Sequence, residues 1–123
     1  MPTLLTTADA VLWSSPQYNH GVSGVVKNAL DWLSRPAFAG VLVGKPTAVI
    51  AVTPSAHQPM ETLGQTEFTL EMCGAVVVRP GVAIGSILEV TDASVVVGDA
   101  AAALSDLVAR LCSATNGDVS VAP

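Results

Sequence analysis

Few side chains in this sequence are equipped for chemistry, and their spacing narrows what they can do. There are two histidines, His20 and His57, and two cysteines, Cys73 and Cys112. No CxxC pair is present, and two histidines with poor support from carboxylates at ligand spacing are too few to argue for zinc or iron, so no metal site is expected. The isolated cysteines read as small apolar fillers of a core. Ser14 and Ser15 lack a Gly-x-Ser-x-Gly elbow and a well-placed His and Asp pair, which argues against a nucleophilic hydrolase. Lys27 and Asp31 stand four apart and read as a solvated ion pair on a helix, with no catalytic role. What remains is Pro16-Gln17-Tyr18-Asn19-His20-Gly21, a run of turn formers around one aromatic ring. A tight turn after a strand points successive backbone N–H groups one way. Tyr18 can supply an aromatic wall, and Asn19 can tie the turn to itself. The same residues would also suit any strand-to-helix turn in which Tyr18 simply packs.

The elements around this run must position it. Ala10 to Ser15 is a short apolar stretch without strict alternation, which predicts a strand covered on both faces and ended by Ser15-Pro16. Ser23 can cap a helix whose apolar positions Val25, Val26, Ala29, Leu30 and Leu33 recur at helical spacing, ending before Arg35-Pro36. Thr47 to Thr53 is β-branched and uncharged and predicts a second buried strand, closed by Pro54. A loop from Ser55 to Pro59 leads to a helix over Met60 to Met72, with Leu63, Phe68, Leu70, Met72 and Cys73 as its apolar positions and Gly74 closing it. Ala75 to Val78 predicts a third strand, followed by an irregular extended segment through Pro80 and Ile84. Gly98 to Ala114 predicts a final helix with Ala102, Leu104, Leu107, Val108 and Leu111 on one stripe. Strands alternating with helices imply an α/β fold with a parallel sheet and helices on both faces. In such sheets ligands bind at the carboxyl ends of the strands, so the loops starting at Ser15 and Thr53 should lie side by side.

Composition bounds the rest. The chain has 123 residues, 50% hydrophobic and 12% charged, with a net charge of -5. That length suits one core, and the low charge implies a surface that is small or partly covered by a partner. Five scattered basic residues give no footprint for nucleic acid or an anionic membrane. No apolar run approaches the roughly 18 residues of a membrane span, and Met1-Pro2-Thr3-Leu4-Leu5 lacks the basic start of a signal peptide, so a cytoplasmic location is expected.

The stretch from Ala8 to Arg35, with Pro16-Gln17-Tyr18-Asn19, Ser23-Gly24, Val26-Lys27-Asn28-Ala29 and Asp31-Trp32 in register, resembles the NAD(P)H-dependent FMN reductase family. These are flavodoxin-like proteins that include quinone and chromate reductases. A looser similarity continues through Gly44-Lys45-Pro46 and the next strand and fades after Gly74. The resemblance implies a flavodoxin-like domain portion over residues 1–115, with a flexible tail at 116–123. It implies an oxidoreductase with FMN as cofactor and NADPH or NADH as co-substrate, passing two electrons to a quinone, free flavin or similar small-molecule acceptor. The flavin would carry the reaction, and the chain would position it without an acid or base of its own. Pro16, Gln17, Tyr18, Asn19 and His20 inherit contacts to the isoalloxazine, and Ser55 and His57 line the neighbouring loop. A homodimer or homotetramer is implied as well.

Three departures qualify what is inherited. Gln17 stands where the family usually has Glu, which keeps an acceptor but removes a charge. Pro54-Ser55-Ala56-His57-Gln58-Pro59 replaces a loop that is usually Gly-rich, so His57 is either a donor to the flavin or substrate, or a solvated loop histidine. The family's first strand and its Ser, Arg and Asn phosphate loop have no counterpart, and Leu4-Leu5-Thr6-Thr7 reads as the last turn of a helix. Of the flavodoxin strand order 2-1-3-4-5, strands 3-4-5 remain. The strand at Val11 should then be an edge with unpaired backbone groups: either the chain is a fragment of a longer reductase, or self-association covers that edge. The alternative function is a truncated, non-catalytic module acting through that self-association.

Overall fold

In a computed structural model, which describes residues 2–117, the chain forms a mainly parallel sheet with helices on both faces. Strand β1 (Val11–Tyr18) pairs in parallel with β3 (Pro46–Val52) over six residues, from Val11↔Thr47 to Pro16↔Val52. Strands β4 (Val76–Val77) and β5 (Val82–Ile84) both lie along the other side of β3, also in parallel. This is the flavodoxin-like arrangement expected from the strand–helix alternation. The segment beyond Val78 that reads as irregular from sequence is an interrupted strand, split around the cis Arg79-Pro80 bond. The first strand is longer than the sequence implies. It does not stop at Pro16, because a proline in an edge strand removes only a donor that no neighbour needs. It then folds back on β2 (Gly21–Val22).

Helix α1 (Pro2–Thr7) precedes β1. Helix α2 (Gly24–Leu33) begins where the sequence places it: Ser23 has extended backbone and its hydroxyl accepts from the Val26 amide at 3.4 Å. Helices α3 (Met60–Met72) and α4 (Gly98–Thr115) also occupy the expected spans. Between β5 and α4, a small antiparallel pair, β6 (Thr91–Asp92) and β7 (Val95–Val96), turns through Ala93 and Ser94 at positive φ. Of the expected tail, residues 118–123 lie outside the described residues.

Alternation along β3 feeds two cores. Val49 and Ala51 join Leu30 of α2, Leu42, Leu63 and Leu70 of α3, and Ala75 on one face. Ala48 joins Val78, Val82, Ile84 and Leu107, Leu111 and Ala114 of α4 on the other. Such alternation on a strand buried on both faces explains its near-continuous apolar sequence. Two of the expected helix stripes shift. On α3 the buried positions are Thr62, Leu63, Thr66, Glu67 and Leu70, while Phe68 and Met72 are exposed. Glu67 can face inward because its carboxylate accepts from Arg79 Nε at 3.1 Å and from the Gly81 amide at 3.0 Å. On α4, Val108 is half exposed, and Ala100, Ala103 and Leu104 extend the inner stripe instead.

The cysteines divide. Cys73 packs against the first core and burial pushes its thiol up, whereas Cys112 is exposed and fills no core.

β1 is an edge over most of its length. Apart from the short pairing with β2 at Gln17 and Tyr18, its outer side has no partner among the described residues, and Leu12 and Ser14 are exposed. The expectation of a strand covered on both faces fails because Leu12 and Ser14, on one face, are exposed, and the expectation of an open edge holds.

Two glycines test this packing in opposite directions. A Cβ on Gly81 would meet Val49 O at 2.6 Å, Leu63 Cδ1 at 2.6 Å and Glu67 Oε1 at 2.7 Å. Gly81→Ala should therefore lower stability in urea unfolding by about 1–3 kcal/mol. Gly64, inside α3 with nothing within 4 Å of a built Cβ, should gain roughly 0.5–1 kcal/mol on replacement by alanine.

Candidate functional site

The parallel pairing of β1 with β3 sets two loops next to each other at the carboxyl ends of the strands. The first is the β1–β2 hairpin. Its two-residue turn, Asn19-His20, has φ of 50° and 59°, the type I′ geometry that matches the twist of paired strands. Asn and His are among the few non-glycine residues that enter this region readily. The register pairs Gln17 with Val22 and Tyr18 with Gly21. Tyr18 is 64% exposed, so its ring is presented outward and does not pack, the simpler reading of that residue.

The hairpin is held onto the start of α3 by two side chains. The Thr62 hydroxyl donates to Gln17 Oε1 at 3.0 Å, and the Val22 amide donates to Gln65 Oε1 at 3.4 Å. Gln17 is thus an internal tie through its side chain. Pro16 is half-buried in the ladder opposite Val52. Neither Thr62 nor Gln65 is a candidate from sequence, because a threonine and a glutamine on a helix carry no signal of what faces them.

The second loop, Thr53 to Pro59, is braced from below. The Ser86 amide donates to Ser55 O at 2.7 Å and the Ile87 amide to Thr53 O at 3.1 Å. Gly85 lies under the loop, where a Cβ would come within 2.9 Å of Ala56 O and 3.1 Å of His57 O. The Ser55 amide donates to Thr53 Oγ1 at 3.4 Å, and the two hydroxyls lie 3.3 Å apart. Residues 54–58 are exposed.

The fold brings the two histidines together across these loops. Their ring centroids are 5.7 Å apart at an interplanar angle of 62°. His57 Nε2 lies 3.4 Å from both carboxylate oxygens of Glu61, in the first turn of α3. The Glu61 carboxyl is held below the ordinary carboxylate range, first by its own backbone amide at the helix start and then by His57. Pro16, Gln17, Tyr18, Asn19, His20, Ser55 and His57 therefore share one end of the sheet. Glu61 joins them unforeseen.

The family model for NADPH-dependent FMN reductase matches residues 3–89. The chain belongs to this family. Both loops lie within the matched span, as do β1 through β5. Over 49 residues the chain is 51% identical to a quinone reductase of Pseudomonas putida, covering 40% of this chain and 26% of that protein. A 2-hydroxy-1,4-benzoquinone reductase of a Burkholderia species is 46% identical over 52 residues, 42% of this chain and 28% of that protein. Among solved structures, FerB, a flavoenzyme NAD(P)H:(acceptor) oxidoreductase of Paracoccus denitrificans, superposes with a TM-score of 0.76 at 28% identity. That superposition covers 90% of this chain and 63% of FerB. The curated relatives are thus matched over about a quarter of their length.

The electrostatics of Glu61 give a signed pH prediction. Because its folded value is depressed, its contribution to stability is present above the unfolded carboxylate value and is lost as pH falls through the folded one. In an NMR pH titration the Glu61 carboxyl should titrate below the ordinary range. In His57→Gln its midpoint should rise, yet stay below the ordinary range, because the backbone amide remains.

Proposed function

We propose that the two loops hold the isoalloxazine of FMN and that the chain serves NAD(P)H-dependent reduction of a small acceptor such as a quinone. The observation that carries this reading is the pair of exposed loops side by side at the carboxyl ends of adjacent parallel strands, where open α/β sheets bind ligands, in a chain of this family. When bound, the flavin supplies the hydride chemistry. The chain supplies position. A ring lying against the hairpin meets Tyr18, exposed and rigidly mounted beside a type I′ turn. The backbone of residues 17–20 offers amide and carbonyl groups to the polar edge of the ring, and Pro16 a carbonyl alone, with Gln17 fixing the hairpin through Thr62. Ser55 and His57 line the other side.

The residues fit the ring half of FMN better than its phosphate. No loop among residues 2–117 joins a strand to a helix with a run of Ser, Thr or Gly backbone donors of the kind a phosphate needs. The fit leads to a test that compares two ligands. FMN and riboflavin, titrated by flavin fluorescence into the purified chain, should bind with the same affinity. Tyr18→Ala should weaken both by roughly tenfold, about 1.4 kcal/mol. The bound FMN should bleach on anaerobic addition of NADPH. No change in the flavin spectrum with the wild-type chain would overturn the reading.

The open edge of β1 supports self-association as part of the same reading. An exposed strand edge with an apolar residue outward invites pairing with another chain, and Leu12 is 42% exposed there. Sedimentation should show a dimer or tetramer, and Leu12→Lys should shift it towards monomer. A compact wild-type monomer would contradict this part.

A further inference from the structure

His20, His57 and Glu61 meet from three separate pieces of the chain. One comes from the hairpin turn, one from the loop after β3 and one from the first turn of α3. A nitrogen of each imidazole and a carboxylate oxygen of Glu61 all lie within 4.8 Å of one another. We propose that these three side chains form a binding site for a divalent transition-metal ion of the Zn2+ class. Two imidazoles and one carboxylate are a donor set suited to such ions, with a fourth position left to water.

The spacing suits a metal as well as it suits an ion pair. His57 Nε2 lies 3.4 Å from Glu61 Oε1 and equally from Oε2. A charge-assisted hydrogen bond is commonly shorter, about 2.7–2.9 Å. Ligand atoms about 2.0–2.1 Å from a tetrahedral ion stand about 3.3–3.4 Å apart. The His57–Glu61 separation is therefore already that of two ligands. His20 is exposed, and one of its ring nitrogens lies within 4.8 Å of ligand atoms of both His57 and Glu61. Its ring already lies edge-to-face with that of His57.

The backbone under each ligand is fixed independently. His20 sits in a two-residue type I′ turn tied to α3 through Gln17–Thr62 and Val22–Gln65. His57 sits on a loop whose carbonyls rest on Gly85. Glu61 belongs to the helix itself. Lys27, Arg79 and Arg110 form ion pairs with Asp31, Glu67, Glu71 and Asp106, so none of these three cations competes for Glu61. None of this requires flavin, and the site is tested without it.

Zn2+ is titrated into the flavin-free chain against a chromophoric chelator, while 1H–15N NMR follows both imidazoles. We expect one ion per chain, with the His20 and His57 ring signals shifting together and saturating at one equivalent. His20→Asn keeps a residue that tolerates positive φ. It, His57→Gln and Glu61→Gln should each weaken binding by at least about tenfold. A Cys73→Ser/Cys112→Ser double variant should bind as the wild type does. Imidazole signals of the wild-type chain that do not move with Zn2+ would overturn the proposal whatever the variants do. So would binding that survives all three ligand substitutions or is lost with the thiols.

Discussion

The parallel ladder between β1 and β3 is the constraint on which the rest of this structure depends. Six consecutive residue pairs, from Val11↔Thr47 to Pro16↔Val52, fix both strands in one direction and in one register. Parallel pairing brings both carboxyl ends to the same edge of the sheet, so the chain leaving Pro16 and the chain leaving Val52 emerge as neighbours. The ladder is closed at its start by two further ties. The Thr47 hydroxyl donates to Val11 O at 3.0 Å, and Lys45 Nζ donates to Ala8 O at 2.6 Å. A slip of one residue in this register would turn Val49 and Ala51 away from the core that holds Leu30, Leu63 and Leu70. Burial on both faces of β3 thus sets the register, and the register sets the site.

The helix α3 then links the core to that site. Its inward face is unusually polar, yet the polar groups of that face are partnered. Thr66 Oγ1 donates to Thr62 O at 2.7 Å, Thr62 Oγ1 to Gln17, and Glu67 receives Arg79 and Gly81. Buried polar groups cost little when they are hydrogen-bonded and much when they are not. The consequence is directional. Leu63 and Leu70 anchor the helix in the core, while Thr62 and Gln65 hold the hairpin at its N-terminal end. The turn that presents Tyr18, Asn19 and His20 is therefore mounted on the helix as well as on the sheet.

The same sheet explains why one of its strands is half bare. β3 has partners on both sides, whereas β1 has only β3 along most of its length, and its side chains alternate between shelter and exposure. Matched over 63% of FerB and about a quarter of the curated relatives, the chain has the family's fold around this edge, whose described neighbour is the short β2 alone.

Much of this was legible in the residues themselves. Local rules decided the elements: Ser23 as a cap, the β-branched run from Thr47 to Val52, the span from Met60 to Met72, and the order of strands and helices. The stretch from Ala8 to Arg35 pointed to the family, because its residue types recur in register over a strand, turn and helix. Side-chain direction was a different matter. Nothing local to Phe68 or Thr62 says which of them faces the sheet, since that depends on Gln17, 45 residues away. Pro16 could extend its strand only because the edge beside it is open. The approach of His20 to His57 and Glu61 rests on β1 and β3 pairing in parallel. Sequence alone determined the main helices and strands of the alternation and the family, but not the short strands β2, β6 and β7. The tertiary structure decided which faces are buried and which loops meet, because both follow from pairings between residues far apart in the chain.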